Sequence, residues 1–199
     1  MHDEEVEVTG PSATTPRRFL WVLRHGKAAS EAPWGGSDRE RPLSARGRRD
    51  ATALGGRLGV GTPLPGLEDI PPPAHVICSA AVRTRQTADL VVSAMGGDPP
   101  LEAYRSLYGA DTDVALRYIH EIDNRVASAL LVGHNPTMLQ LAWELLSGPT
   151  DDEPSHDRSA LEARPFTTCA LAVFGFSVYG WDEVQWGTGR LIGLFTPPY

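Results

Sequence analysis

Phe19-Leu20-Trp21-Val22-Leu23-Arg24-His25-Gly26 joins five consecutive apolar residues to a cation, an imidazole and a glycine. A short unbroken apolar run is the pattern of a strand buried on both faces, whereas a strand with one wet face alternates. The pattern recurs downstream. His75-Val76-Ile77-Cys78 runs into Ser79 and on to Arg83, and Ser128 to Val132 runs into Gly133-His134-Asn135. Helical spacing fills the intervals: Ser44 to Leu58 carries Ala51, Leu54 and Leu58, Val82 to Met95 carries Leu90, Val91 and Ala94, and Val114 to Ile122 continues the theme. Strands alternating with helices predict an α/β fold, a single-domain three-layer sandwich around a mostly parallel sheet.

Further out, Asn135-Pro136 reads as a helix start, with Asn as N-cap and Pro at the first helical position, and Gly148-Pro149 reads as its stop. Thr168 to Phe176 and Val184 to Phe195 are β-rich and predict an antiparallel C-terminal strand pair closing one edge of the sheet. Residues 149–165 hold Asp151, Asp152, Glu153 and Asp157 with little apolar content, which predicts an exposed insertion. Residues 1–16 are acidic and aperiodic, which predicts a flexible tail ahead of one domain over 17–199.

The chain has 199 residues, enough to bury a full core, and a formal net charge of −7. That sign argues against a nucleic-acid or membrane-surface partner. The charge is unevenly placed: Asp3, Glu4, Glu5 and Glu7 have no base near them, whereas ten of the 18 Lys and Arg residues lie between Arg17 and Arg57. Cys78 and Cys169 sit in apolar runs without metal-ligand spacing and read as buried reduced thiols. The N-terminus has acids where a secretion signal has bases, and no apolar run is long enough to span a membrane, so a cytoplasmic location is expected.

Each of the three apolar runs ends in polar residues. In an open parallel sheet the carboxyl ends of the strands share one edge, where ligands bind. Arg24, His25, Arg83 and His134 are therefore expected to meet. Guanidinium groups offer planar forks of donors to phosphoryl oxygens. Paired histidines also suit a metal, but neighbouring arginines would repel a cation and no acid lies beside either histidine in sequence, so a phosphoryl site is preferred to a metal site.

These residues resemble the histidine phosphatase superfamily, the phosphoglycerate-mutase-like group. The resemblance rests on Leu23-Arg24-His25-Gly26-Lys27-Ala28, then Asp38 to Leu43 with Gly47, then Ser79 to Thr87 with Arg83, Gln86 and Thr87, and last Gly133-His134-Asn135-Pro136, in that order over roughly residues 19 to 146. The short length, the Arg41-Pro42-Leu43 element and Pro165-Phe166-Thr167-Thr168-Cys169 are most similar to the SixA-type phosphohistidine phosphatases. The resemblance implies a phosphoglycerate-mutase-like fold and a metal-independent phosphatase without cofactor. His25 would be the nucleophile, carrying the phosphoryl group covalently, with a hydrogen bond from its other nitrogen to a backbone carbonyl, while Arg24, Arg83 and His134 surround the phosphoryl oxygens. Arg41, Lys27 and Asn135 are the candidates for further substrate contacts. Lys27, the chain's one lysine, also reads as a solvated loop residue, Arg41 as half of a surface ion pair, and Arg46, Arg48 and Arg49 as a wet helix face.

The general acid departs from the family pattern. Aligned on its Tyr-Gly pair, Leu101 to Gly109 places Arg105 where many members have a glutamate, leaving Glu102, Asp111 and Asp113 as stand-ins. Imidazole is a far weaker base than an alkoxide and departs with less help, so a missing acid favours a phosphohistidine protein as substrate. A small-metabolite phosphatase and a phosphate-binding regulatory protein of weak turnover are the alternatives. The sequence leaves the oligomeric state open.

Overall fold

The computed structural model describes residues 18–59, 64–146, 148 and 156–199. The expected tail, residues 1–16, and the first part of the expected insertion, 149–155, lie outside them.

Six strands form one sheet: β1 (Arg18–Arg24), β2 (His75–Ser79), β3 (Leu101–Tyr104), β4 (Ser128–Gly133), β5 (Leu171–Phe176) and β6 (Arg190–Phe195), in the order β3-β2-β4-β1-β5-β6. β1, β4, β2 and β3 run parallel, while β5 pairs antiparallel with β1 and β6 antiparallel with β5. Side chains of a strand alternate between faces, so an apolar run on a doubly covered sheet feeds two cores. Leu20 and Val22 join Ile77, Leu131 and Phe174 under α3 (Thr112–His120) and α4 (Thr137–Leu145). Trp21 and Leu23 join Val76, Leu130 and Val132 under α1 (Ala45–Leu58) and α2 (Val82–Met95). The layers are therefore helix, sheet, helix, as the runs predict.

The helices begin where local chemistry allows. Ser44 caps α1 by accepting from the Gly47 amide at 3.1 Å, and Asp111 caps α3 by accepting from the Val114 amide at 2.9 Å. Register then aligns the strand ends: Arg24 of β1 stands opposite Gly133 of β4, and Cys78 of β2 opposite Val132. The residues that follow emerge along one edge.

Four expectations need correction. Strand β3 is not foreseen, because Leu101-Glu102-Ala103-Tyr104 is short, borders the sheet and carries no apolar run. Asn135 does not cap α4; Pro136 is the capping residue, and the Asn135 amide nitrogen donates instead to the Phe166 carbonyl at 3.1 Å. The last strand starts at Arg190, since Trp181–Glu183 forms a 3₁₀ turn and Trp181 is buried in the core. The second half of the expected exposed insertion, His156–Ala163, is a helix, α5, whose Leu161 is buried in the same core as α4. An amphipathic turn with one well-placed leucine suffices to pin it. Cys78 and Cys169 are free and buried, and burial pushes both thiols up to about 12. Among the described residues no helix is long and apolar enough to cross a membrane.

Candidate active site

The chain leaves β1 through Arg24-His25-Gly26 and is gripped at each step. The His25 amide donates to the Gly133 carbonyl at 3.0 Å, and the Gly26 amide donates to the Thr87 hydroxyl at 3.0 Å. The Thr87 hydroxyl in turn donates to the Arg83 carbonyl, so α2 holds the turn directly. Gly47 explains itself here: a Cβ at that position would overlap the Lys27 carbonyl and lie 2.8 Å from the Lys27 nitrogen. Only glycine lets the first turn of α1 press against the backbone just past His25. Gln86 of α2 accepts from the Leu43 amide at 2.7 Å, which fixes the segment before α1.

Within this frame His25 and His134 meet edge to face with ring centroids 5.0 Å apart. His25 Nδ1 donates to the Gly26 carbonyl at 2.7 Å, leaving Nε2 with its lone pair. Burial, opposed by that bond and assisted by the nearby Arg83 and Arg24 charges, lowers the His25 imidazole to about 4. His134 is lowered to about 3, first by burial and then by His25 and Arg83. Both rings are neutral near pH 7. Arg83 has no acceptor, so His134 Nδ1 accepts from Arg83 Nη2 at 3.4 Å, and neutral His134 must donate from Nε2 to the Ser79 hydroxyl at 2.9 Å. Both nitrogens of His134 are therefore engaged by protein.

Arg83 is nearly buried and extends from the first turn of α2. Arg24 spends Nη1 on the Phe166 carbonyl at 2.8 Å, while its buried Nε has no partner among the described residues. Burial lowers its affinity for the proton, and its charge is felt by both histidines. The four core candidates thus converge.

Sequence reading missed a carboxylate. Asp38, distant in sequence from either histidine, brings Oδ2 to 2.8 Å from Arg83 Nη2 and 2.6 Å from the Tyr108 hydroxyl, and Oδ1 to 2.6 Å from Arg41 Nη1. These donors, Tyr108 foremost, then Arg41, hold the Asp38 carboxyl well below the usual carboxylate range. No acid lies beside either histidine in sequence, yet in space the Asp38 charge bears on both. The signal was present as Asp38 within the quoted Asp38-to-Leu43 stretch, but only folding brings that loop over α2. Tyr108 is the second missed residue; its ring lies 5.2 Å from that of His134.

The remaining candidates fare differently. Arg41 binds Asp38 and the Ala29 carbonyl, so it steadies the loop. Lys27 is exposed, and its carbonyl accepts from Ser44. Asn135 turns toward Phe166, although its buried Oδ1 has no partner among the described residues. Arg48 and Arg49 lie on the wet face of α1, as does Arg46, which pairs with Asp50 at 3.4 Å. Glu102 is tied to Tyr104 and stands 3.7 Å from His75 at the opposite end of β2 from Ser79. Asp111 is occupied as the cap of α3, and Asp113 is exposed in its first turn. Chemically, the arrangement offers one imidazole lone pair, two guanidinium groups and an ionised carboxylate.

Comparisons with known proteins agree with this architecture. The model for the histidine phosphatase superfamily, branch 1, matches residues 20–108. An uncharacterized protein of Mycobacterium tuberculosis is 33% identical over 175 residues, covering 88% of this chain and 99% of its own length. Among solved structures, a candidate phosphohistidine phosphatase SixA from Nakamurella multipartitia superposes with a TM-score of 0.72 at 27% identity, covering 92% of this chain and 97% of that one. The protein histidine phosphatase SixA complexed with tungstate gives 0.66 at 25% identity, covering 90% of this chain and 97% of the other.

Proposed function

The chain belongs to branch 1 of the histidine phosphatase superfamily, and from that premise we propose that it is a metal-independent phosphatase that works through a phosphohistidine at His25 and acts on phosphohistidine in proteins. The first step follows from the tautomer. His25 Nε2, deprotonated because Nδ1 carries the proton to Gly26, attacks phosphorus in line. The bond from phosphorus to the substrate imidazole breaks and its electron pair stays on that nitrogen; the ring's other nitrogen already carries a proton, so the group leaves as neutral imidazole. A water molecule then attacks the phosphoryl group on His25, its proton passes to solvent, and inorganic phosphate departs as Nε2 recovers its lone pair. Arg24 and Arg83 stabilise the charge on the phosphoryl oxygens through both steps, and His134 orients Arg83 by accepting from it.

Asp38 carries the choice of substrate. The carboxylate at this site is held ionised by Tyr108, Arg41 and Arg83, so it has no proton to give an alkoxide. Glu102 and Asp111 are engaged elsewhere. A leaving group that departs as a weakly basic imidazole suits such a site. Two further observations support a protein substrate: SixA structures share the fold, one of them holding the oxyanion tungstate, and Trp34 stands fully exposed in the loop that carries Asp38, as an aromatic anchor for a partner would.

The test compares hydrolysis of a phosphohistidine-bearing protein with that of an aryl phosphate, for the wild type and His25→Ala. Turnover of the phosphoprotein at least 10-fold above the ester in kcat/KM, lost in the variant, is expected. An alkaline denaturing quench should trap phosphate on His25. Undiminished turnover in His25→Ala would remove the nucleophile assignment, and a preference for the ester would remove the phosphohistidine reading.

A further inference from the structure

Beside the catalytic pocket lies a second cavity of about 240 Å³, walled by Arg39, Glu40, Arg105, Tyr108 and the start of α2 at Ala81 and Val82. It adjoins the reacting centre through its own walls. Val82 directly precedes Arg83, and Tyr108 donates to the carboxylate that Arg83 binds.

Its charge is unbalanced. The Arg39 guanidinium lies 4.5 Å above the Tyr108 ring, so stacking holds it in place. Among the described residues neither Arg39 nor Arg105 has an ion-pair partner. The acid in the wall, Glu40, is taken by Ser37, whose amide and hydroxyl donate to Oε2 at 2.7 and 3.0 Å. Asp38 next to it is saturated by Arg83, Arg41 and Tyr108. Ala81 offers α2 no capping side chain, so the first amides of that helix add to the positive potential. Two exposed guanidinium groups therefore line one cavity whose single acid, Glu40, stays ionised and is tied to Ser37, which leaves the lining with a net positive charge. Such a fork of donors fits a carboxylate.

We propose that this cavity is a second anion subsite, which holds the carboxylate of an acidic side chain close to the phosphorylated residue, so that the enzyme selects phosphohistidine in acidic stretches of protein. The phosphoryl group is placed by the phosphatase reading above, on which the choice of a protein substrate rests. The preference of the cavity for an anion stands apart from which bond is cleaved.

The experiment uses two phosphohistidine peptides that differ by Asp→Asn at one neighbour of the phosphorylated residue, and reads the ratio of their kcat/KM values. The wild type should favour the acidic peptide about 10-fold, the scale of one charge-assisted contact in water. Arg105→Ala and Arg39→Ala should each bring the ratio below about 3, and Arg105→Lys should retain part of it. A wild-type ratio of about 1, or a ratio unchanged in both alanine variants, overturns the subsite. If no phosphohistidine peptide is hydrolysed, the substrate reading has failed and the subsite is judged on 3-carboxyphenyl phosphate against phenyl phosphate, with the same outcomes. If nothing is turned over, calorimetric affinities of the two peptides supply the ratio, again with the same outcomes.

Discussion

Asp38 Oδ2 lies 2.8 Å from Arg83 Nη2, and the Asp38 carbonyl accepts from Nη1 of the same guanidinium at 2.6 Å, so the loop before α1 holds the site arginine by both its side chain and its backbone. An acid there orients Arg83 and also cancels part of the charge available to a phosphoryl group. The backbone contact survives removal of the acid, so orientation is partly kept while the negative charge is lost.

Asp38→Asn should therefore tighten the binding of inorganic phosphate as a competitive inhibitor by about 5- to 10-fold, the effect of removing one partly screened charge several ångströms away. Inhibition constants for the wild type and the variant check this. Weaker binding would show that orientation outweighs charge.

Ser79 accepts the Nε2 proton of His134 and fixes the tautomer that lets Nδ1 face Arg83. Ser79→Ala should lower kcat about 10-fold, with a smaller change in KM, because Arg83 loses the orientation that matters most as charge develops. Steady-state kinetics on the phosphoprotein measure the split. An effect on KM alone would place His134 in ground-state binding.

Gly47→Ala should destabilise the fold by about 1–3 kcal/mol, the usual result of overpacking, because its methyl group would meet the Lys27 backbone. Activity at a temperature where the variant is folded should fall further, since Lys27 is two residues past His25, the proposed nucleophile. Denaturant unfolding and turnover measure the two effects separately.

Burial lowers the His25 imidazole from an ordinary value of 6.5 to about 4, so the unfolded chain takes up a proton in this interval that the folded chain refuses. The contribution of His25 to stability is therefore complete above pH 6.5 and declines as pH falls toward 4. At about 1.4 kcal/mol per pH unit the loss from His25 is on the order of 3 kcal/mol. Melting temperatures between pH 7 and 4.5 should fall, and less steeply in His25→Asn. For the same reason kcat/KM should stay level with respect to His25 from pH 7 to 5 and drop as pH approaches 4.

Sequence pattern carried much of the fold because the strands of a doubly covered sheet are apolar throughout. Val82–Met95 is read to the residue, and the ends of β1, β2 and β4 fall within a residue or two of their apolar runs. Elements held by tertiary contact were not legible. β3 has no run of its own and exists by pairing with β2, and α5 depends on burying Leu161. Asn135 has the composition of a cap, but Phe166, brought near by the turn into β5, takes its amide.

The sequence by itself determined the layered α/β fold and placed Arg24, His25, Arg83 and His134 at or just beyond the carboxyl ends of β1, β2 and β4, because apolar periodicity and strand termination are local properties. Tertiary structure alone decided that Asp38 and Tyr108 enter the site, which nitrogen of His134 bears the proton, and that Arg39 and Arg105 share a cavity. Those outcomes depend on hydrogen bonds between residues far apart in the chain, such as Asp38 with Arg83 and Leu43 with Gln86, whose geometry no local spacing encodes.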